Sequence, residues 1–232
     1  ALTAEGHARS IPPDAPIGAG PDMPTTRRYD PEAAREDILD SAERLFAAKG
    51  FDGVSTAAIA KEAGVSQSQI HYHFDTKRKL WEKVFERRFA DYFAAQSSLL
   101  DNPQMNDMER MRQSIVSYFE FFEKYPHSVR LLTRAQLDLG DEGAGEGDPA
   151  EAMGEMLMRK GSEVIEAAQR AGRIRDDIRP DFAIIGFLSL VAHWFMSGHH
   201  LMVETHDEKD REGHDREYLE FIIKVYLRGI AP

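Results

Sequence analysis

The stretch Ser66-Gln67-Ser68-Gln69-Ile70-His71-Tyr72-His73-Phe74 concentrates side chains that donate and accept hydrogen bonds while carrying little net charge. In a helix each residue advances about 100°. Ile70 and Phe74 then share the face turned into a domain. Ser68, Gln69 and Tyr72 share the opposite face, flanked by His71 and His73, with Gln67 in the first turn. An uncharged set of donors and acceptors on one face can read base edges in a major groove. It can equally be a solvated surface, so the frame around it has to decide.

Other chemistry finds less support. His71 and His73 are two apart, which on a helix sends them to different sides, so they cannot jointly hold one ion. His-Glu-x-x-His, a Gly-rich phosphate loop and Gly-x-Ser-x-Gly are all absent from the sequence. His193 and His200 are seven apart on one helix face, and His206 could join them as a metal site. Buried, hydrogen-bonded histidine is the competing reading. No catalytic set, cofactor or metal is expected, and a metal-dependent enzyme on a helical scaffold is kept as a remote alternative.

The frame around the polar stretch is well marked. Ser55 can cap a short helix over Thr56–Ala63, and Gly64 supplies the left-handed residue that ends it. Ser66-x-x-Gln69 has the spacing of a reciprocal capping box, with Val65 and Ile70 as its hydrophobic staple. Two helices joined across so short a turn form a helix-turn-helix. Ahead of them, Asp30-Pro31 starts a helix whose apolar face is Ile38, Ala42, Leu45 and Phe46. Gly50 ends it, and Phe51 closes back on Phe46. Behind them a helix starts near Asp75-Thr76 and runs toward Leu100. Its first turn carries Lys77, Arg78 and Lys79, cations that oppose the helix dipole unless an anion such as DNA phosphate offsets them.

Composition agrees. The chain has 232 residues, no cysteine and a net charge of −11. Lack of cysteine excludes a disulfide scaffold and fits a cytoplasmic protein. Residues 25–80 hold nine Lys/Arg and nine Asp/Glu, whereas residues 81–232 hold 19 against 28. The polar helix therefore lies in the least acidic part of the chain.

Residues 1–24 read as a disordered tail rich in Pro, Gly, Ala and Asp. Arg27 and Arg28 follow, either as a solvated pair or as an arm touching phosphate or a minor groove. After the break at Asn102-Pro103 come expected helices over Met108–Tyr125, Ser128–Leu139 and Ala150–Ala171, with Gly140–Pro149 as an acidic loop. Phe182–Val203 and Tyr218–Ile230 are apolar nearly all round. A helix apolar on every side must be covered on every side, and here a second subunit supplies the cover. Phe187, Val191, Phe195, Phe221 and Tyr226 are the expected dimer surface, and residues 204–215 read as a solvated turn. Histidines within the first run and charges at its flanks argue against a membrane span.

Residues 35–80 resemble the DNA-binding domain of the TetR family of transcriptional regulators. The matching residues are Ile38-Leu39, Leu45-Phe46, Gly50-Phe51, Ser55-Thr56, Ile59-Ala60, Ala63-Gly64-Val65-Ser66, Tyr72-x-Phe74, Lys77 and Leu80. One departure is His71, where members commonly have tyrosine at a position associated with phosphate contact. The resemblance implies an all-α fold: a three-helix helix-turn-helix domain over residues 25–80, then a larger helical ligand-binding and dimerisation domain over 81–232. It implies a homodimer through the two C-terminal helices that binds double-stranded DNA at a pseudo-palindromic operator, most simply as a repressor. Wheel direction and resemblance together give Gln69 and Tyr72 base contacts, and give phosphate contacts to Thr56, Ser66, His71 and Lys77. The family's cavity lies among the middle helices, bounded by a long later one. Here those helices offer Tyr118, Phe119, Phe122, Met153, Met156 and Trp194, with Arg130 and His193 as polar anchors, for a small, mostly apolar or aromatic effector. A DNA-binding dimer without small-molecule input remains the alternative.

Overall fold

The computed structural model describes residues 30–138, 149–201 and 211–232, and among these every regular element is helical. Residues Pro31–Pro232 form one compact unit. Helix α1 (Pro31–Lys49) opens on proline, whose missing N–H falls where a helix has no internal partner anyway. It buries Ile38, Leu39, Ala42 and Phe46, and Phe51 then stacks on Phe46 with ring centres 6.0 Å apart. Trp81, on a later helix, meets both rings edge-on and closes the end of α1.

Helices α2 (Thr56–Ala63) and α3 (Gln67–Phe74) are set by their caps. Ser55 accepts from the N–H of Ala58 at 3.1 Å. Gly64 ends α2 at φ 68°, a left-handed conformation that any side chain would strain. Ser66 and Gln69 form the reciprocal box anticipated from their spacing: Ser66 accepts from the Gln69 N–H, and Gln69 Oε1 accepts from the Ser66 N–H at 2.8 Å. These local bonds fix how α3 leaves α2.

A tight turn joins α3 to α4 (Lys77–Leu100). Asp75 sits at φ 63°, ψ −64°, and the Thr76 N–H reaches the Phe74 carbonyl at 2.6 Å. This is a three-residue γ-turn in its strained form, costing about 1–3 kcal/mol. Two side chains hold it. The ring of His71 donates from Nδ1 to the Asp75 carbonyl at 3.0 Å, and Lys79 pairs with the Asp75 carboxylate at 2.7 Å.

Helices α5 (Asp107–Lys124) and α6 (His127–Asp138) come next, with Asn106 capping α5. Beyond them lie α7 (Pro149–Arg170) and α8 (Pro180–His193). α4 crosses residue 80 without interruption, packing on α1 at one end and on α5 and α7 beyond. One apolar core accordingly runs from Ile38 through to Ile230.

The C-terminal helices depart from the sequence reading in two ways. The run expected as one helix over Phe182–Val203 is α8, a π-helical turn at Trp194–Gly198, and the short α9 (His199–Leu201). Gly198 permits the turn because a Cβ there would lie 2.4 Å from the Trp194 ring. Second, α10 spans Arg211–Ile230, so Arg211–Asp215 are helical, not part of a solvated turn. Asp215 is buried and accepts the Trp194 Nε1–H at 2.6 Å, the acceptor that a buried indole requires. Tyr218 stacks on the same indole at 4.0 Å.

The tail 1–24, Arg27, Arg28, Gly140–Asp148 and His206 lie outside the described residues. Among the described residues no group of three or more His, Cys, Asp or Glu could hold a metal ion.

Candidate nucleic-acid interface and cavity

α3 buries Ile70 and Phe74 and turns its polar residues outward. Tyr72 is the most prominent, a large aromatic left 79% exposed. His71 and Ser68 are exposed beside it, and His73 is half-buried with its ring 5.1 Å from that of Tyr72.

Several neighbours have work inside the fold. The Gln69 oxygen is committed to the Ser66 cap. Gln67 donates through Nε2 to Thr56 Oγ1 at 2.9 Å, tying α3 to the start of α2. With the Nδ1–H of His71 directed at Asp75, its Nε2 donates outward only as the imidazolium. Lys77 is half-buried. Its ammonium donates to the carbonyls of Phe51 and Val54 at 2.9 and 3.1 Å and lies 4.1 Å from the centre of the Phe51 ring. Arg78 pairs with Glu82 and Lys79 with Asp75. The three first-turn cations of α4 therefore find anions or carbonyls within the chain and do not by themselves demand an external anion. Carbonyl groups gathered from a loop 23 to 26 residues earlier left no local mark in sequence.

α4 is also where the three-helix part α1–α3 meets the rest. Arg87 reaches Glu36, Asp40 and Glu43 of α1 at 3.0, 2.8 and 3.0 Å. Arg88 forks Glu43 at 2.8 and 2.7 Å, and its guanidinium lies 4.2 Å from the centre of the Tyr125 ring.

On either side of these arginines α4 turns Phe85, Phe89, Tyr92 and Gln96 into a cavity of about 860 Å³, within the size of small-molecule sites. α5 contributes Met111, Ser114 and Tyr118, α7 contributes Leu157, Met158 and Gly161, and α8 adds Ile184 and Phe187. Of the eight residues that sequence reasoning offered for a ligand, Tyr118 lines this cavity. Phe119 and Phe122 are buried against Phe195 on another face of α5. Trp194 is occupied by Asp215 and Tyr218. Met153 and Met156 are half-buried in α7 outside the lining, and Arg130 and His193 are exposed. Tyr92, Gln96 and Ser114 were missed because polar residues at helical spacing read as a wet face. Their signal was a large aromatic three or four residues away: Phe89 beside Tyr92, Tyr92 and Phe93 beside Gln96, and Tyr118 beside Ser114.

Comparison with known proteins then decides the family. Residues 38–84 match the model of bacterial regulatory proteins of the tetR family, and residues 113–224 match that of the Tetracyclin repressor-like C-terminal domain. The chain belongs to the TetR family. It is 26% identical over 214 residues to the HTH-type transcriptional repressor NicS of Pseudomonas putida, spanning 88% of this chain and 95% of that protein. It is 23% identical over 171 residues to the probable acrEF/envCD operon repressor of Escherichia coli K12, spanning 70% and 76%. Among solved structures, the ketosteroid transcriptional regulator KstR2 of Mycobacterium tuberculosis shares the fold, with a TM-score of 0.67 at 18% identity over 85% of this chain and 95% of that one. TetR-family proteins are DNA-binding transcriptional regulators and not enzymes, and the helix-turn-helix α2–α3 lies within the segment that matches the tetR-family model.

Proposed function

We propose that the protein is a homodimeric, cytoplasmic repressor whose operator affinity changes when a small apolar or aromatic molecule fills the α4–α8 cavity. The observation that carries this reading is the double duty of α4. Phe85, Phe89 and Tyr92 wall the cavity, while Arg87 and Arg88, between them in sequence, grip α1 of the reading head. A molecule that favours one position of α4 moves what those arginines hold, by no more than its differential affinity for the two positions. Both curated relatives named above are repressors, which supports the sign of the regulation.

Within this reading the division at residue 80 separates the reading head from the sensing part, and Tyr72 reads base edges. Gln67, Ser68 and Gln69 border it, and Thr56, Ser66, His71, His73 and Lys77 face the phosphates, with Arg27 and Arg28 ahead of them.

The homodimer is supported by exposed apolar residues on two helices. Phe182, Ile185 and Leu190 of α8, and Phe221 and Val225 of α10, stand 36–59% exposed. Pro180–Gly198 is long and apolar enough to cross a membrane by length and composition, and 28% of its most apolar window is buried. A partner copy covers such a face without a bilayer. The face differs in phase from the one expected from sequence. Val191 and Tyr226 are buried, and Phe187 and Phe195 pack within the protomer, so of the five expected residues Phe221 alone stands outside.

The test is to select the operator from random DNA, then screen aromatic compounds for thermal stabilisation and for a change in operator affinity. Compounds whose binding is weakened by Phe89→Trp, which narrows the cavity, should be those that change operator affinity. Cavity-bound compounds that leave operator affinity untouched would overturn the ligand-responsive part.

A further inference from the structure

The cavity is not uniform. Its wall between α4 and α5 carries four neutral polar side chains, Tyr92, Gln96, Ser114 and Tyr118, set among phenylalanines. Gln96 is 3% exposed and donates through Nε2 to the Ser114 carbonyl at 3.2 Å. Tyr92 has Gln96 as a side-chain hydrogen-bond partner. Ser114 is 7% exposed, and its hydroxyl is buried with no hydrogen-bond partner. A buried hydroxyl left unpaired is destabilising, so native interiors seldom keep one without a use.

Charge is distributed just as unevenly. Among the described lining residues there is no Lys, Arg or His, and the one carboxylate, Glu151, is exposed. The connection between α6 and α7, residues 139–148, has no cation in its sequence either. A carboxylate or phosphate ligand would enter an apolar chamber with nothing of opposite sign to meet it, which is strongly unfavourable. Burial holds the Tyr92 and Tyr118 hydroxyls well above the usual phenol range, so both stay protonated and able to donate at neutral pH.

We propose that the effector is an uncharged, ring-bearing compound with one hydrogen-bond acceptor, such as a ketone oxygen, which docks on the Ser114–Tyr118 end of the cavity. This deepens the ligand-responsive reading above and rests on it. Ser114 and Tyr118 are four apart on α5, so their side chains lie one turn apart on the same face and converge on one acceptor. The aromatic walls take the hydrocarbon part, and the hydroxyls fix which end goes in.

Three fluorescent probes of one skeleton test it: pyrene, 1-acetylpyrene and pyrene-1-carboxylate, titrated into the full chain. Pyrene reports whether the chamber takes a polycyclic ring at all. The ketone should bind about five- to tenfold more tightly than pyrene, the usual increment for one buried hydrogen bond. The carboxylate should bind at least tenfold more weakly than pyrene. Ser114→Ala and Tyr118→Phe should each cut the ketone's advantage over pyrene while leaving pyrene's own dissociation constant within twofold. Ser114→Ala should also raise the melting temperature of the free protein, since it deletes the orphaned hydroxyl. Equal binding of ketone and pyrene, equal binding of the carboxylate, or an advantage that survives both substitutions would overturn the neutral-acceptor assignment and leave the cavity reading standing. Failure of all three probes to bind would count against the cavity reading itself.

Discussion

Arg88 donates through Nε and Nη2 to the two carboxylate oxygens of Glu43, at 2.8 and 2.7 Å, so that α4 grips α1 by a two-point fork. The Glu43 side chain is 9% exposed and also takes Arg87. Fixed geometry of this kind transmits a helix displacement better than apolar contact, because the planar guanidinium cannot slide along its acceptor without losing a bond.

Glu43→Gln should therefore lower stability by about 1–3 kcal/mol in urea denaturation, since it leaves the partly buried Arg88 guanidinium without its anion, while Arg87 keeps Glu36 and Asp40. Any compound that shifts operator affinity in the wild type should shift it less in this variant. An unchanged urea midpoint would show that the fork is incidental.

Lys77→Ala separates two roles. Loss of the carbonyl bonds and of the contact with Phe51 should lower stability by about 1–2 kcal/mol. If the lysine also meets DNA, binding should weaken alike on all sequences, and the log–log salt slope should flatten by about one unit. Lower stability with the slope unchanged would mark Lys77 as an anchor for the loop after α1 and no more.

Phe221→Glu places a charge on the exposed face shared by α8 and α10. Light scattering at micromolar concentration should give twice the 26.2 kDa chain mass for the wild type and the single chain mass for the variant. Val191→Glu, by contrast, charges a fully buried site and should unfold the protein without yielding a folded monomer. A monomeric wild type would remove the two-fold arrangement from the account.

Asp215→Ala leaves the Trp194 N–H buried without this acceptor, and the π-helical turn keeps only the Tyr218 stack of its two described ties through Trp194 to α10. The expected loss is about 1–3 kcal/mol, largely restored by Asp215→Asn, whose amide oxygen can still accept. Calorimetry that fails to separate the two variants would contradict the role given to this bond.

The range of each interaction decided whether it could be read from the sequence. Ser55, Gly64 and Ser66 act on atoms within four residues, so the frame of the helix-turn-helix was legible from spacing alone. The pull of Phe51 and Val54 on Lys77 and of Asp215 on Trp194 spans more than twenty residues and was not. Periodicity located the apolar face of α5 but could not separate Tyr118, which lines the cavity, from Phe119, which lies against Phe195. In α8 there was no polar face from which to take a phase, so buried Val191 and exposed Ile185 looked alike.

Tyr72 carries the central claim, that α3 reads base edges. The measurement is operator binding by fluorescence anisotropy, comparing wild type with Tyr72→Ala on the selected operator and on a scrambled duplex of equal length. With its side chain 79% exposed, Tyr72 contributes little to folding, so the melting temperature should stay within a degree or two. The account predicts that the ratio of operator to scrambled affinity falls by about tenfold or more, while affinity for the scrambled duplex changes little. A ratio unchanged by the substitution would contradict it.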